Sequence, residues 1–392
     1  MRFLIINGSY TEFLQYFYAQ HPGLEKQPYE EQMRIRVQGL HGMVDFYPSN
    51  LRKLGHEAWN IYVNDVIMQM MWAKEHNIQH IQPGRSWEWR FRLRRGVVPW
   101  ISIVHTKAWL YDILAAQIKY YKPDVLLNMQ TGLVSTTFLQ EMRGQLRLLV
   151  GWGNPGALRY KGYWIPYKQG LPQDWSVYDL IIAPQQGMVD YFRGMGIKAE
   201  LLRHAFEPRL LEIVGASPEK TLPVSFVGLL RGSGYNKRRE LLEALCKRMG
   251  EDLFIWASSL DGLSQDSSIR KRYQGHAWGQ DLYRISATSK IALNCHSELE
   301  EQFSGNKRLF DITGLGTLLV TDRTKDLHLL FDLDKEVVAY RNIEECVELL
   351  RYYLDHSNER EAIACAGKQR TLRDHTYYHR LQEFVDIART YL

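Results

Sequence analysis

The segment NKRLFDITGLGTLLVTD, residues 306–322, has two adjacent cations, a short apolar run broken by an acid, a glycine-containing turn and a second apolar run. Its first half predicts a short helix that ends at Gly314, within a Thr-Gly-Leu-Gly turn. The apolar run that follows predicts a buried strand ending at Thr321 and Asp322. Similar units recur along the chain, where short apolar runs alternate with amphipathic segments. This alternation indicates an α/β fold with parallel strands.

The units form two successive series, which change over near RHAFEPRLLEIVG, residues 203–215. We therefore predict two Rossmann-like domains that face a cleft, the GT-B arrangement, with bounds 1–203 and 204–377. The C-terminal helix, 378–392, is predicted to pack back on the first domain. Residues 64–100 do not follow the repeat and are predicted to be an insertion or an irregular element. Parallel sheets bind ligands at the carboxyl ends of their strands, so the site is expected in those loops.

Composition narrows the class of protein. The chain has 392 residues, 45% hydrophobic and 24% charged, as in soluble multidomain proteins. A net charge of +5 suits an anionic small molecule or an anionic membrane surface. Dedicated nucleic-acid binders usually have a pI above about 9, with one clustered basic face, so the pI of about 8.8 argues against that class. The 4 cysteines lack metal-ligand spacing, and no apolar run reaches the length of a membrane span. We expect a cytoplasmic protein, with possible peripheral contact to the inner membrane face.

A resemblance to a known family covers the C-terminal part of the chain. The pattern Asn-x-Arg-x-Phe-acid at 306–311, the glycine turn, the strand ending in an acid and the late HTYYHR at 375–380 carry it. These motifs resemble the C-terminal half of GT-B glycosyltransferases, in particular the spore-maturation (CgeB-like) group. The resemblance is clearest over 279–380, fainter over 224–278 and weakest over 1–200.

The resemblance implies metal-independent transfer of a sugar from a nucleotide-diphospho-sugar, held by the C-terminal domain, to an acceptor hydroxyl. The acceptor would be a glycan, a lipid-linked sugar or a protein, and no cofactor is implied. Many retaining relatives carry two glutamates, the second of which binds the donor ribose. Here Asp311 stands at the second position and Phe303 at the first, with Glu301 nearby but out of register. The ribose role is therefore assigned to Asp311, and the stereochemical outcome stays open.

A donor diphosphate needs cations and amide groups at a helix start. The region 306–314 and the glycine-rich loop GLLRGSGYNK, residues 228–237, offer both. The alternatives are a surface ion pair at residues 307, 308 and 311, a solvated loop at 228–237, and a capping or core histidine at 296. The expected donor-binding residues are Gly228, Arg231, Lys237, Arg238, His296, Asn306, Lys307, Arg308, Asp311, Thr313 and Gly314.

The N-terminal domain should supply the groups opposite the donor. His41 and Asp45 are candidates for a catalytic base or an electrostatic partner, and a helix-flanking polar pair is the alternative. Trp152 and Asn154 follow a predicted strand and are candidates for acceptor contact. The Asp-x-Asp at 332–334 is interpreted as surface carboxylates, so no metal site is expected.

Two function classes other than a transferase are considered: nucleic-acid binding through residues 86–100, and noncatalytic binding of a sugar or nucleotide. The segment SWEWRFRLRRGVVPW, residues 86–100, interleaves arginine with aromatic residues. Such a pattern is typical of sugar stacking, a membrane interface, single-stranded nucleic acid binding or a solvated edge element. A noncatalytic sugar- or nucleotide-binding envelope or spore component on the same fold is the main alternative to an enzyme.

Overall fold

The computed structural model describes residues 1–78, 81, 86–94, 98–106, 108–153, 174–215, 218–298 and 302–392. Its N-terminal part is built on a six-stranded parallel sheet with the strand order β2-β1-β5-β6-β7-β8. The strands are β1 (Arg2–Asn7), β2 (Glu57–Tyr62), β5 (Val125–Asn128), β6 (Leu148–Trp152), β7 (Leu180–Ala183) and β8 (Ala199–Leu201).

Helices cover both faces of this sheet, as crossover connections between parallel strands require. They are α1 (Thr11–Gln20), α2 (Tyr29–Gln38), α3 (Phe46–Lys53), α4 (Val66–Glu75), α5 (Ala108–Tyr121), α6 (Thr136–Met142) and α7 (Gln186–Gly194). The expectation for residues 64–100 is confirmed in that this region breaks the repeat. After α4, strands β3 (Ser86–Arg94) and β4 (Val98–Thr106) form an antiparallel hairpin, which pairs with neither parallel sheet in the described part of the chain.

The second part is built on a five-stranded parallel sheet with the order β10-β9-β11-β12-β13. Its strands are β9 (Leu222–Val227), β10 (Leu253–Trp256), β11 (Ser289–Leu293), β12 (Leu318–Asp322) and β13 (Val338–Tyr340). The helices are α8 (Leu210–Val214), α9 (Asn236–Met249), α10 (Ser268–Arg272), α11 (Gln280–Thr288), α12 (Arg308–Gly314), α13 (Ile343–Asp355), α14 (Ser357–Asp374) and α15 (Tyr377–Tyr391).

The central strands are buried on both faces, which explains their unbroken apolar sequences. In β1, Phe3 and Ile5 enter one hydrophobic cluster, while Leu4 and Ile6 enter another on the opposite face. Successive side chains of a strand alternate between faces, so one strand serves two cores. The cluster of Phe3 also includes Leu319 of β12 and therefore spans both sheets.

The chain crosses between the two parts at adjacent places. The main chain of Phe206 bonds to that of His375 and Tyr377, at 2.8 and 2.9 Å, so the outgoing and returning segments pair. After this crossing α15 packs against α3, and Phe384 contacts Phe3 with ring centroids 5.8 Å apart. The predicted α/β class with two parallel Rossmann-like sheets is confirmed, whereas the domain bounds 1–203 and 204–377 stay a prediction.

Candidate active site

A cavity of about 340 Å³ lies where loops of both parts meet. Its walls come mainly from loops after β1, β9, β10 and β11, at the carboxyl ends of the strands, where α/β sheets bind ligands. The volume is within the range of small-molecule sites. The lining residues are Tyr10, Leu40, His41, Gly42, Phe226, Val227, Gly228, Leu229, Tyr235, Arg238, Trp256, Ala257, Ser258, Ala277, Trp278, Gly279, Leu282, Tyr283, Asn294, Ser297, Asn306, Lys307 and Arg308.

Two adjacent cations, Lys307 and Arg308, form the charged part of the wall. Lys307 Nζ donates to Asp311 Oδ1 at 2.6 Å and to the Tyr283 hydroxyl at 3.1 Å. Arg308 donates to Asp311 Oδ2 at 2.6 Å and reaches the carbonyl of Val227 at 3.4 Å. Burial would lower the pKa of Lys307, but the charge and hydrogen bond of Asp311, together with Tyr283, raise that pKa above its ordinary value. Lys307 is therefore fully charged.

Asp311 holds both cations from behind. Its side chain is 0% exposed, and it is absent from the cavity wall. The ion pairs considered for residues 307, 308 and 311 do form, but the Asp311 carboxylate is buried and does not lie at the surface. Asp311 thus orients both cations, and its predicted contact with a ribose stays a prediction.

Thr313 and Gly314 also lie behind the wall. Thr313 Oγ1 donates to the Leu309 carbonyl at 2.7 Å and bonds to Thr371 Oγ1 of α14 at 2.6 Å. A Cβ at residue 314 would overlap the ring of Phe206. The two residues therefore pack α12 against α14 and the crossing segment, which is a structural function that their sequence positions did not indicate.

The glycine-rich loop contributes unevenly to the site. Gly228 and Arg238 line the cavity, whereas Arg231 and Lys237 do not. Arg238 is buried, and its guanidinium donates to the carbonyls of Cys295 and Leu229, the latter at 2.8 Å. The exposed Arg231 lies 3.7 Å from Asp261. Arg238 thus presents its charge to the cavity through a guanidinium that the main chain holds in place.

Lys237 is exposed, at the start of α9. Its main-chain amide donates to the carboxylate of Glu298 at 2.7 Å. A carboxylate is an anion, and here it already accepts from the helix start that was expected to receive a phosphate. Glu298 was not singled out in the sequence, because nothing in its local pattern places it near this helix.

His296 follows β11 as expected but is absent from the cavity wall. Its ring Nδ1 and its main-chain amide both contact Asp322 Oδ1, at 2.8 and 2.9 Å. Burial would raise the pKa of Asp322, but His296 and the main-chain amides hold it below the usual value. Asp322 is thus an ionised carboxylate at the end of β12, and His296 is one of its partners.

Part of the cavity wall is aromatic and neutral, and His41 belongs to it. His41 stacks on Phe13 with ring centroids 3.5 Å apart and meets the edge of Trp278 at 5.3 Å. Burial, assisted by the charges of Arg36, Arg308 and Lys307, lowers the pKa of His41 to about 3. His41 lines the cavity as an uncharged imidazole at neutral pH. Its predicted catalytic role stays a prediction.

Asp45 lies outside the cavity wall. Its carboxylate accepts from Arg209 at 3.0 and 3.3 Å, and Arg209 also donates to Glu207 at 2.9 Å. Glu207 in turn accepts from Asn50 of α3 at 2.8 Å. This network connects α3 to the crossing segment, so the contacts of Asp45 are structural ones, and its predicted catalytic role is not tested by them.

Trp152 is buried at the end of β6, where its ring lies 6.4 Å from that of Tyr47 and 5.4 Å from that of His204. It is absent from the cavity wall. Asn154, the other predicted acceptor residue, and Glu301 lie outside the described residues. The acceptor predictions therefore stay predictions.

The sequence analysis missed most of the aromatic wall. Tyr10, Tyr235, Trp256 and Trp278 line the cavity, and each comes from a different loop or strand end. Trp256 is the last residue of β10, so the rule for the carboxyl ends of strands could have identified it. Trp278 had no such signal, because its position depends on how the loop before α11 packs against α1.

Among the residues that the structure describes, no group of three or more histidine, cysteine, aspartate or glutamate side chains could hold a metal ion. Asp332 is exposed and pairs with Lys335 at 2.9 Å. No helix among the described residues is both long enough and apolar enough to span a bilayer.

Comparisons with known proteins concern the C-terminal part of the chain and the overall fold. Residues 237–386 match a family model described as glycosyl transferase-like. Among solved structures, a glycosyltransferase from Rickettsia africae ESF-5 is similar over 99% of this chain and 98% of that one, with a TM-score of 0.57 and 12% identity. Anabaena Alr3699/HepE in complex with UDP-glucose is similar over 100% of both chains, with a TM-score of 0.56 and 12% identity.

A third structure, AviGT4, a glycosyltransferase involved in avilamycin A biosynthesis, is similar over 99% of this chain and 97% of that one, with a TM-score of 0.54 and 12% identity. No curated protein matches the sequence. At such identities the likeness concerns the fold, and the fold is GT-B: two Rossmann-like parts around a cleft.

Proposed function

We propose that this protein is a glycosyltransferase that takes its donor as a nucleotide-diphospho-sugar. The observation that carries the proposal is the Lys307–Arg308 pair, which lines a cavity of small-molecule size with Asp311 fixing both side chains from behind. Arg238 adds a third positive charge to the same wall. A diphosphate is the ligand group whose charge and acceptor oxygens fit such a wall.

The same cations would assist the chemistry. When the sugar is transferred, negative charge develops on the departing diphosphate, and preorganised cations stabilise that charge. A metal ion performs this task in other transferases, so we propose metal-independent transfer here. The aromatic wall, including Trp256, Tyr235 and Trp278, would offer stacking surfaces to a base or a sugar ring.

The comparisons support the donor class. The family model described as glycosyl transferase-like spans residues 237–386, which include Arg238, Lys307 and Arg308. The similar structure of Anabaena HepE is a complex with UDP-glucose. Within this class we propose membership of the spore-maturation (CgeB-like) group, on the motif at 306–311.

The acceptor would bind on the N-terminal side, where we propose domain bounds of 1–203 against 204–377, with the helix from residue 378 returning to the first domain. His41 lines the cavity from that side and is the proposed residue facing the reacting sugar. The acceptor hydroxyl would belong to a glycan, a lipid-linked sugar or a protein, in the cytoplasm or at the inner membrane face.

A ligand screen followed by an activity assay tests the proposal. The melting temperature should rise with one of UDP, GDP, dTDP or their sugar conjugates, because a ligand that binds only the folded state stabilises it. The purified protein should then release nucleotide slowly from the matching sugar conjugate. Binding without release would indicate a noncatalytic binding protein, and no stabilisation by any nucleotide would refute the donor assignment.

Chelation tests the metal-independent part separately. Nucleotide release should persist in EDTA, because Lys307, Arg308 and Arg238 supply the positive charge. Loss of release in EDTA with recovery on adding Mn²⁺ would return attention to the carboxylates of Asp332 and Asp334.

A further inference from the structure

Asn306 occupies a position in the site that its charged neighbours do not explain. It lines the cavity directly before Lys307 and Arg308. Its Nδ2 donates to Asn294 Oδ1 at 3.0 Å. Its Oδ1 is buried and has no hydrogen-bond partner among the described residues. A buried acceptor without a partner is uncommon and costs stability, so it points to a missing donor.

A chain of hydrogen bonds determines which side-chain atom of Asn306 has no hydrogen-bond partner. Asp322 is an acceptor, and Thr321 Oγ1 donates to its Oδ1 at 3.3 Å. Because the single hydroxyl proton of Thr321 is donated to Asp322, the Thr321 oxygen acts as the acceptor towards Asn294 Nδ2, at 2.9 Å. Asn294 then has its oxygen to offer, and that oxygen accepts from Asn306 Nδ2. Each step follows from the one before, and the last atom is the carbonyl oxygen of Asn306.

We infer that Asn306 recognises a hydroxyl group of the transferred sugar through its side-chain oxygen, and that it does not bind the diphosphate. The inference rests on the proposed function. Phosphate oxygens at neutral pH accept hydrogen bonds, so they would repel the Asn306 oxygen. A sugar hydroxyl can donate to it. Lys307 and Arg308 donate, and therefore suit the phosphates, so the change from acceptor to donors marks where the sugar ends and the diphosphate begins.

This inference refines the sequence-based expectation, which grouped Asn306 with the cations as a donor-binding residue without saying which part of the donor it contacts. It makes Asn306 a residue that selects among sugars, and it makes Asn294 and Thr321 positioning residues. Ribose also carries hydroxyls, so the test must separate the nucleotide from the sugar.

Calorimetry with paired ligands makes that separation. The ligands are UDP, GDP and dTDP, each with its glucose conjugate, and the pair that the wild type binds most tightly is used. Asn306→Ala should bind the glucose conjugate about tenfold more weakly than wild type, as expected for one lost hydrogen bond. Its affinity for the free diphosphate should stay within about twofold. Arg308→Ala should weaken both ligands, which provides the contrast.

A second variant guards against a simple folding effect. Thr321→Val removes the hydroxyl that sets the direction of the chain, at a site where the two side chains have similar volume. It should weaken binding of the sugar conjugate more than that of the diphosphate. Nucleotide conjugates of deoxyglucose then identify the hydroxyl. Wild type should bind one of them more weakly than the glucose conjugate, whereas Asn306→Ala should bind all of them as well as the glucose conjugate.

Three results would overturn the inference. Equal weakening of both ligands by Asn306→Ala would mean that Asn306 contacts the nucleotide part. This would be expected if the hydrogen bonds ran in the opposite direction and Asn306 offered Nδ2 to a phosphate. No weakening of either ligand would mean that Asn306 is structural. In both cases binding by wild type would leave the proposed function standing, whereas a wild type that binds none of these ligands would refute the proposed function itself.

Discussion

Two buried Arg–Asp pairs, one in the N-terminal part and one in the C-terminal part, differ in that only the second borders the cavity. Arg36 of α2 and Asp65, before α4, have side chains that are 1% and 2% exposed. Arg308 and Asp311 of α12 are 27% and 0% exposed. The carboxylate is buried in both pairs. The guanidinium of Arg36 is buried as well, whereas that of Arg308 borders the cavity.

The partners of the two pairs explain this difference. Arg36 donates to Asp65 and to Ser9 Oγ at 2.9 Å, and its guanidinium lies 4.2 Å from the Tyr62 ring. Asp65 also accepts from the Tyr18 hydroxyl at 3.0 Å. The guanidinium of Arg308 makes fewer contacts and borders the cavity. The two pairs therefore differ in function. The Arg36 pair holds the fold together, whereas the guanidinium of Arg308 has one face that borders the cavity and could contact a ligand.

The largest expected effect is on the sealed pair. Arg36→Met leaves Asp65 buried and charged, so the free energy of unfolding should fall by about 3–5 kcal/mol. Arg34→Met on the same helix is the matched control. The Arg34–Glu31 pair is 54% and 38% exposed, and its loss should cost much less stability than the loss of the buried pair. Urea denaturation measures both variants, and equal losses would mean that burial does not distinguish the two pairs.

The carboxylate behind the cavity should come next. Asp311→Asn keeps the shape but leaves Lys307 and Arg308 without a counter-charge, so it should cost about 2–3 kcal/mol in stability. Nucleotide affinity should fall as well, because both cations lose the acceptor that orients them. Asp386→Asn is the control, since Asp386 pairs with Arg389 on an exposed face of α15. Denaturation and calorimetry on the two variants decide whether Asp311 acts as proposed; unchanged stability would refute the positioning role.

The open cation should affect binding more than folding. Arg308→Ala should weaken nucleotide binding by about 1.5–3 kcal/mol, the range for a hydrogen bond to a charged group. Stability should change less than in Arg36→Met, because the remaining pair of Lys307 and Asp311 stays charge-balanced. Arg389→Ala, which removes an exposed cation of the same kind, should leave affinity unchanged. Unchanged affinity in a folded Arg308→Ala would place the diphosphate elsewhere.

The comparison also shows what the sequence could reveal. Apolar periodicity was sufficient for the two sheets, because parallel strands buried on both faces have apolar sequences throughout. The motif at 306–311 pointed to Lys307 and Arg308, which do line the cavity. Arg36 gave no signal, since its partners Ser9, Tyr62 and Asp65 are distant in sequence.

Other parts of the site were beyond the reach of local patterns. Asp311 could be placed on the correct helix, but a periodicity argument does not say whether a carboxylate faces a cavity or lies behind one. The contacts of Asp45 and Glu298 depend on segments far away in the chain, Arg209 and Lys237. Pairing across such distances follows from the packed fold and not from local sequence.

The smallest expected effect concerns the pKa of His41, which the charges of both Arg36 and Arg308 influence. Burial is the main cause of its lowered pKa, and Arg36, Arg308 and Lys307 lower it further. Removing either arginine removes a positive charge, so the pKa of His41 should rise from about 3 by up to about one unit in Arg308→Ala.

The sign of the effect on stability follows from linkage. The unfolded imidazole, with a pKa near 6.5, binds protons before the folded one does, so stability falls as the pH drops from about 6.5 towards 3. A variant with a raised pKa should lose less in this range, by about 1 kcal/mol for one unit. NMR titration of the His41 ring in wild type and Arg308→Ala measures the shift. A pKa that stays unchanged in Arg308→Ala would show that the charge of Arg308 does not influence the His41 ring.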